Sequence, residues 1–226
     1  MKKKFTDIKN IIFDLGGVII DIDQNQIINH LRDNGFNNLE LLNSDEVKHT
    51  LKQFECGILS AETFRKRLCS QLNLNVPTEE FDEIWNSMIL DIPQRRIDLV
   101  KKLRGNYHVF LMSNSNEIHY DLFIRDLQLR FGYREFDSLF DKSFFSFDLH
   151  LRKPDPDFFI YILDRYNMKP EETLFIDDTP ENILAAQKLG IVTYHSLTGA
   201  RIVDLFENGL LKEDLEFNVI HESTKE

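Results

Sequence analysis

Short apolar runs alternate along the chain with longer segments in which apolar residues recur at helical spacing. Three of the runs, residues 8–13, 107–112 and 173–176, are rich in β-branched or aromatic side chains and are followed by a polar residue. A weaker run covers residues 191–195. Strands separated by helices predict an α/β fold with a doubly wound parallel sheet. Such sheets bind ligands at the carboxyl ends of their strands.

Residues 21–93 interrupt this alternation with a segment that has helical spacing throughout. Ser60 and the pair Pro77-Thr78 supply helix starts within it. We therefore predict a helical insert, or cap, at residues 21–93, and a core formed by residues 1–20 and 94–226. An insert whose connections leave the sheet beside the strand ends is placed to close over a site there.

Composition and charge narrow the range of partners. The 226 residues include 27 Lys plus Arg against 38 Asp plus Glu, a net charge of −11, so the mean surface field repels nucleic acid and anionic membranes. No apolar run approaches the roughly 18 residues of a membrane span. Cys56 and Cys69 lack a metal-binding spacing. We expect a cytoplasmic protein with no nucleic-acid or membrane partner, and we make no prediction of its oligomeric state.

Two strand ends carry groups suited to phosphate chemistry. Asp14 follows the first predicted strand, and Gly16-Gly17 let a ligand approach the backbone closely. Asp14 could equally accept hydrogen bonds within a turn. Ser113 and Asn114, after the second strand, can bind an oxyanion if they open the next helix. An ordinary helix cap is the alternative for this segment.

Two further segments add a cation and a pair of carboxylates. Lys153 precedes two prolines that stiffen its loop, which suits the neutralisation of a phosphoryl group, although an exposed surface Lys is the commoner case. Asp177 and Asp178 follow the third strand, where like charges repel unless a cation lies between them and Asp14. An all-oxygen site of this kind prefers Mg²⁺. The alternative is that one Asp caps the following helix and the other faces solvent.

Taken together, the four segments resemble the haloacid dehalogenase superfamily of phosphohydrolases, in the family's order and at its strand ends. The insert resembles the family's helical cap in position and class, and the family's core has a Rossmann-like fold. Within the superfamily, the segments 13–23, 113–116, 146–154 and 177–182 look most like bacterial sugar-1-phosphate phosphatases of the glucose-1-phosphatase type.

The resemblance implies Mg²⁺-dependent hydrolysis of a small phosphorylated metabolite. Asp14 would attack phosphorus to form an aspartyl-phosphate, which water then hydrolyses, with Lys153 as the second catalytic residue. The Mg²⁺ ligands would all be oxygen atoms, supplied by Asp14, the backbone carbonyl of Gly16, Asp178 and, less firmly, Asp177. The phosphoryl oxygens would be bound by Ser113, the Asn114 backbone and Lys153.

One position departs from the family pattern. Most phosphatases of this superfamily have a second Asp two residues after the nucleophile, which protonates the leaving group, whereas this chain has Gly16. Losing a positioned acid costs about 10²- to 10⁴-fold in rate, and least when the leaving oxygen is a weak base. This favours a sugar 1-phosphate, an aryl or acyl phosphate or a phosphoanhydride over an alkyl phosphate, and argues against a phosphoglucomutase. Asp21 or Asp23 could supply the acid, although capping the first cap helix is their commoner role.

Two other functions would use some of the same residues. A 2-haloacid dehalogenase would use Asp14 to attack carbon without a metal, which leaves the paired acids without a purpose. A catalytically weakened phosphometabolite-binding protein would keep the metal and phosphate sites. Three weaker features are the turn at residues 54–57, which either contacts the substrate or simply joins two helices, and His119 and His150, whose commoner role is structural.

Overall fold

The computed structural model describes residues 7–36 and 38–212. Its centre is a five-stranded parallel sheet in the order β3-β2-β1-β4-β5, as expected for a doubly wound α/β fold. The ends of the predicted core, residues 1–6 and 213–226, lie outside the described residues. The strands of the sheet are β1 (Asn10–Phe13), β2 (His108–Ser113), β3 (Lys142–Phe145), β4 (Thr173–Asp177) and β5 (Val192–His195); β6 (Phe206–Glu207) and β7 (Leu210–Leu211) form a separate antiparallel pair.

Helices connect the strands and cover the sheet. The α-helices of the described residues are α1 (Asn25–Asp33), α2 (Asp45–Glu55), α3 (Ala61–Leu72), α4 (Thr78–Asn86), α5 (Gln94–Leu103), α6 (Glu117–Phe131), α7 (Ser146–Leu149), α8 (Pro156–Arg165) and α9 (Pro180–Lys188). Short 3₁₀ helices cover Leu39–Asn43, Phe136–Ser138, Pro170–Glu172 and Gly199–Leu205. Over the same residues, every helix is too short or too polar to cross a bilayer.

The four predicted strands are confirmed within two residues at each end, but β3 was not predicted. Its first half, Lys142 and Ser143, is polar, and this conceals the strand in the sequence. Its second half places Phe144 and Phe145 in the two different hydrophobic clusters that cover the sheet. Because successive strand side chains point to opposite faces, these two residues make β3 a buried edge of the sheet.

The central strand β1 is buried on both faces, which is typical of a parallel sheet. Ile11 and Phe13 share a cluster with Ile97 of α5 and with other residues of α5 and α6. Ile12 lies on the other face, in the cluster that includes Phe158 of α8 and Ile183 of α9. The strand ends that follow β1, β2 and β4 are therefore held by a packed core on both sides.

Helices α1 to α4 lie within the predicted insert and share a hydrophobic cluster, to which α6 contributes Ile118. In that cluster Phe64 stacks on Phe54, with ring centroids 3.9 Å apart, and meets Trp85 edge to face. The predicted helix starts are confirmed: the Ser60 hydroxyl accepts a hydrogen bond from the Thr63 N–H at the start of α3, and α4 begins at Thr78. The division into a core and a cap domain stays a prediction.

The turn between α2 and α3 is pressed against α7. Gly57 has φ +64°, and a Cβ placed there would lie 2.0 Å from the backbone oxygen of Phe147. Beside it, the Ser146 hydroxyl donates to the carbonyl of Glu55 (2.5 Å), and Nδ1 of His150 bonds the carbonyl of Cys56 (2.7 Å). This turn is therefore a fixed contact between the insert and the core.

We predict that Gly57→Ala destabilises the protein more than Gly35→Ala. Both glycines have positive φ, so each alanine incurs about 1–2 kcal/mol of backbone strain, but a Cβ at Gly35 meets nothing within 4 Å. The clash with Phe147 should add about 1–3 kcal/mol at residue 57. Urea unfolding of the two variants measures the difference. Equal losses would show that the turn is not held tightly against the core.

Candidate active site

The ends of three neighbouring strands place polar side chains side by side. Phe13, the last residue of β1, is in register with Leu111 of β2 and Ile176 of β4. Asp14 follows directly, and its N–H donates to the carbonyl of Ile176 (2.9 Å). Ser113, the last residue of β2, and Asp177, the last residue of β4, lie at the same edge of the sheet.

Lys153 lies at the centre of this group, with a side chain that is 1% exposed. Its ammonium donates to Asp14 Oδ1 (2.6 Å), to Asp177 Oδ2 (2.7 Å) and to the carbonyl of Met112 (2.8 Å). Burial by itself lowers the Lys153 pKa, but the two carboxylates outweigh burial and raise it. The residue is therefore a buried charged ammonium rather than a surface lysine.

The Asp14 carboxyl is buried beside two other acids. Burial raises its pKa, Lys153 opposes this, and the charges of Asp177 and Asp178 raise it further, to about 7 from an ordinary value of 3.8. Burial, followed by the charge of Asp177, also raises the pKa of Asp178. Without a further cation, the site therefore holds more negative charge than Lys153 balances.

The two adjacent acids differ in what they contact. Asp177 is fully buried, and its carboxylate accepts hydrogen bonds from Lys153, from the Asn182 amide (3.0 and 3.1 Å) and from the Thr179 N–H (2.8 Å). Asp178 is only partly buried, and its Oδ1 accepts a hydrogen bond from the Thr179 hydroxyl (3.2 Å). Asp177 is thus fixed by the core, whereas Asp178 is freer to meet a ligand.

An acidic cluster of Asp14, Asp177 and Asp178 can converge on a cation. Each offers one carboxylate oxygen, and these oxygens lie within 4.8 Å of one another. Gly17 makes room for them: its φ is +74°, and a Cβ there would lie 2.2 Å from Asp178 Oδ2. The missing side chain of Gly17 thus lets the Asp178 carboxylate approach the backbone closely.

Asn114 connects the segment after β2 with the loop that carries Lys153. Its side-chain amide donates to the Lys153 carbonyl (2.8 Å), and its Oδ1 accepts from the Lys153 N–H (2.9 Å). The following Asn116 caps α6 by accepting from the N–H of His119, as expected for a segment that opens a helix. The amide side chain of Asn114 therefore fixes the Lys153 loop, while Ser113 lies buried at the strand end.

One cavity of about 660 Å³ adjoins the site and extends between the insert helices. Of the predicted site residues, those that line it are Asp14, Gly16, Ser113, Asn114, Lys153 and Asp178. Asp177 is not among the lining residues, in agreement with its complete burial. The structure thus brings all seven predicted residues together, with Asp177 behind the others.

The two acids suggested as replacements for the missing carboxyl are engaged elsewhere. Asp21 accepts a hydrogen bond of 2.6 Å from Arg96, a guanidinium that is almost fully buried. Asp23 accepts from the Asn25 N–H at the start of α1 and from the Gln26 amide, and these hydrogen bonds lower its pKa. Neither residue lines the cavity. The N-cap residue of α1 is Gln24, so Asp23 contacts the start of the helix without occupying the cap position predicted for it.

The two histidines also have structural contacts. His119 is buried, stacks on Trp85 with ring centroids 5.4 Å apart, and bonds Asn86 Oδ1 through Nδ1 (3.0 Å). Burial lowers its pKa to about 3, so the ring is neutral at physiological pH. His150 has φ +58°, a conformation that favours glycine, and its Nδ1 bonds the carbonyl of Cys56 (2.7 Å).

A charged pair at the cavity was not identified from the sequence. Arg152 donates to Glu55 Oε2 (2.7 Å), and both residues line the cavity. Glu55 lies at the end of α2, in the turn whose role the sequence left open, so that turn does reach the site. The two residues are 97 positions apart, and no local pattern predicts that they meet.

Comparison with known proteins assigns the family. The haloacid dehalogenase-like hydrolase family matches residues 8–190, and the chain belongs to it. A D-ribitol-5-phosphate phosphatase of Bacteroides thetaiotaomicron is 31% identical over 194 residues, which cover 85% of this chain and 94% of the relative. A sesquiterpene phosphatase of Aspergillus oryzae is 32% identical over 198 residues, or 84% of this chain and 90% of the relative.

Solved structures agree with this assignment. The magnesium complex of a haloacid dehalogenase family enzyme from B. thetaiotaomicron has a TM-score of 0.76 at 34% identity, covering 84% of this chain and 93% of that one. The same enzyme with magnesium and inorganic phosphate has a TM-score of 0.74 at 35% identity, covering 83% and 93%. An L-2-haloacid dehalogenase from Xanthobacter autotrophicus shares the fold alone, with a TM-score of 0.56 at 15% identity, covering 83% and 77%.

The raised pKa of Asp14 predicts how metal-free stability depends on pH. The folded state binds the Asp14 proton more tightly than the unfolded state, so the parent loses stability as pH rises from about 4 to about 7. Asp14→Asn has no titrating group at this position, so it should gain stability relative to the parent over the same pH interval. The measurement is urea unfolding of both proteins in EDTA at several pH values.

Asp23→Asn serves as the control, because the pKa of Asp23 is lowered and the sign reverses. That variant should be less stable than the parent, with the full difference present above about pH 4. A difference between Asp14→Asn and the parent that does not change with pH would contradict the first prediction.

Proposed function

We propose that the protein is a Mg²⁺-dependent phosphatase that hydrolyses a small phosphorylated metabolite through an aspartyl-phosphate on Asp14. The observation that carries the proposal is the buried Asp14 carboxylate at the floor of a cavity, hydrogen-bonded to Lys153 and within reach of Asp178. Two relatives named as phosphatases, each covered along most of its length, support the reaction class.

The reaction proceeds in two displacements at phosphorus. In the first, an Asp14 oxygen forms a bond to phosphorus while the bond to the ester oxygen breaks, and its electron pair stays on the leaving oxygen, which takes a proton. In the second, water attacks the same phosphorus, its proton is released, and phosphate leaves as the Asp14 carboxylate is restored. Ser113, the Asn114 backbone and Lys153 would hold the phosphoryl oxygens during both steps.

The donor set fits a magnesium ion. Three carboxylates converge, and mutual repulsion contributes to the raised pKa values of Asp14 and Asp178, which a divalent cation would reverse. When bound, Mg²⁺ would neutralise charge on the phosphoryl oxygens. We propose Asp14, the Gly16 carbonyl and Asp178 as its ligands. The hydrogen bonds that occupy Asp177 support a weaker or indirect role for that residue.

The missing carboxyl at residue 16 bears on the substrate, because that carboxyl would protonate the leaving oxygen. Its absence supports a sugar 1-phosphate or another ester with a weakly basic leaving oxygen. The engagement of Asp21 and Asp23 elsewhere supports this proposal, since neither is placed to replace the acid. D-Ribitol 5-phosphate, the substrate in one relative's name, is the informative competitor because its phosphate is on a primary alcohol.

The first test is hydrolysis of p-nitrophenyl phosphate with Mg²⁺ and with EDTA. We expect Mg²⁺-dependent turnover that Asp14→Asn reduces at least about 10³-fold, because the nucleophile is lost. Phosphate binding without turnover would instead favour the phosphometabolite-binding alternative. Release of halide from 2-chloropropionate without Mg²⁺ would favour the dehalogenase alternative.

A second prediction concerns residue 16 itself. Gly16 does not have positive φ, and a Cβ there would lie 3.4 Å from Ile22 Cδ1, an ordinary contact with a flexible side chain. Gly16→Asp should therefore fold and supply the missing acid, which raises kcat on ribitol 5-phosphate by about 10-fold or more relative to p-nitrophenyl phosphate. Gly16→Ala is the matched control.

In the parent, kcat/KM for glucose 1-phosphate should exceed that for glucose 6-phosphate and ribitol 5-phosphate. If the parent already hydrolyses the three esters equally well, another residue supplies the proton, and the leaving-group proposal is wrong.

A further inference from the structure

The cavity at the site has two chemically different ends. At the sheet it is lined by charged and polar groups, which include Asp14, Ser113, Lys153 and Asp178. Away from the sheet it extends among the helices of the insert, where apolar side chains line it. Its volume of about 660 Å³ lies within the roughly 300–1,000 Å³ that is usual for small-molecule sites and exceeds what a phosphate group alone needs.

The apolar end is built by every helical segment of the insert. The apolar residues that line it and are only partly buried include Ile27, Ile28, Leu51, Leu74, Trp85 and Met88. They come from α1, from α2, from the segment after α3, and from α4 and the residues after it. Contact between these large apolar side chains and water is unfavourable. An apolar ligand that displaced the water would therefore lower the free energy.

The polar side chains near this end are largely paired with one another. Glu55 is bonded to Arg152, and His119 to Asn86. Asn116 Oδ1 accepts hydrogen bonds from the N–H of His119 and from the indole N–H of Trp85. A polyol chain would need several unpaired donors and acceptors here, because each hydroxyl that it buries must be satisfied.

The unpaired buried polar atoms of the cavity lie in segments that belong to the phosphate end. Among the described residues that line it, the buried side-chain atoms without a hydrogen-bond partner are Ser115 Oγ and Arg152 Nε. Ser115 is two residues after Ser113, and Arg152 directly precedes Lys153. The part of the lining that the insert supplies is apolar apart from Gln24 and Glu55.

From this division we infer that the substrate is an amphiphilic phosphate ester, whose hydrocarbon body, an alkyl or prenyl chain, lies against the insert helices. The inference rests on the proposed phosphatase function and concerns only the part of the substrate beyond the ester oxygen. Among the esters with a weakly basic leaving oxygen that residue 16 favours, it selects an aryl or acyl phosphate or a phosphoanhydride with a hydrocarbon body over a sugar 1-phosphate, and it predicts that a polyol chain binds poorly in the cavity.

The test varies the body of the substrate while the leaving group stays constant. Butyl, octyl and dodecyl phosphate and D-ribitol 5-phosphate are all monoesters of primary alcohols, so the missing acid affects them alike. With Mg²⁺ and below aggregating concentrations, kcat/KM should rise at least tenfold from butyl to octyl phosphate, and octyl phosphate should exceed ribitol 5-phosphate by at least tenfold. No increase with chain length, or ribitol 5-phosphate as the better substrate, would overturn the inference.

Binding can be measured separately from turnover. Trp85 is the single tryptophan of the chain and lines the cavity, so its emission reports on occupancy. In Asp14→Asn, dodecyl phosphate should shift the Trp85 emission in a saturable way, whereas inorganic phosphate and ribitol 5-phosphate should not. An emission that responds equally to all three compounds would contradict an apolar site.

Two variants locate the effect within the cavity. Leu74→Gln should lower kcat/KM for octyl phosphate about tenfold more than it lowers kcat/KM for p-nitrophenyl phosphate. Leu129→Gln, at a side chain 79% exposed that does not line the cavity, should change neither rate. If p-nitrophenyl phosphate is not hydrolysed at all, the proposed function fails. If it is hydrolysed but Leu74→Gln does not discriminate between the two esters, only the inference about the substrate body fails.

Discussion

The site depends on one buried ammonium group. Lys153 is almost fully buried and reaches Asp14, Asp177 and the Met112 carbonyl, which belong to the ends of three adjacent strands. Charges of this kind are stable inside a protein only when they are paired and hydrogen-bonded. The parallel sheet satisfies this condition because it brings the three strand ends to one edge. The loop that carries Lys153 is fixed in turn by the two hydrogen bonds to Asn114.

The excess of negative charge around Lys153 explains why the site favours a cation. Three carboxylates surround one ammonium, and the excess negative charge raises the pKa values of Asp14 and Asp178. A site in this state favours a divalent cation, and it becomes suited to an anionic substrate only when such a cation is bound. The repulsion that makes the metal-free site unfavourable is therefore the same property that would bind magnesium.

The insert contributes a different property to the same cavity. It is held to the core by the tight contact of Gly57 with Phe147 and by the pair of Glu55 with Arg152. Its helices turn apolar side chains toward the space above the strand ends, so the cavity is charged at its floor and apolar at its far end. The strand ends of the core thus supply the charged groups of the cavity, while the insert supplies most of its apolar surface.

The candidate site residues were predictable because each lies beside a local signal. Asp14, Asp177 and Asp178 follow apolar strands, and Lys153 precedes prolines, so a single strand or loop reveals each of them. Strand β3 was missed because half of it is polar, and its pairing with β2 is what buries it. The acids near residue 16 could not be assigned either, because the engagement of Asp21 depends on Arg96, which is 75 residues away.

The sequence by itself was enough to predict the α/β class, a helical segment within residues 21–93 and seven residues that the structure brings together, because hydrophobic periodicity and strand-end chemistry are properties of neighbouring residues. Only the tertiary structure decided that Asp177 is fixed behind Asp178, that Glu55 meets Arg152, and that the cavity is apolar at its far end. Those features depend on contacts between segments separated by tens of residues. Burial and pairing at such distances follow from packing, which no local pattern encodes.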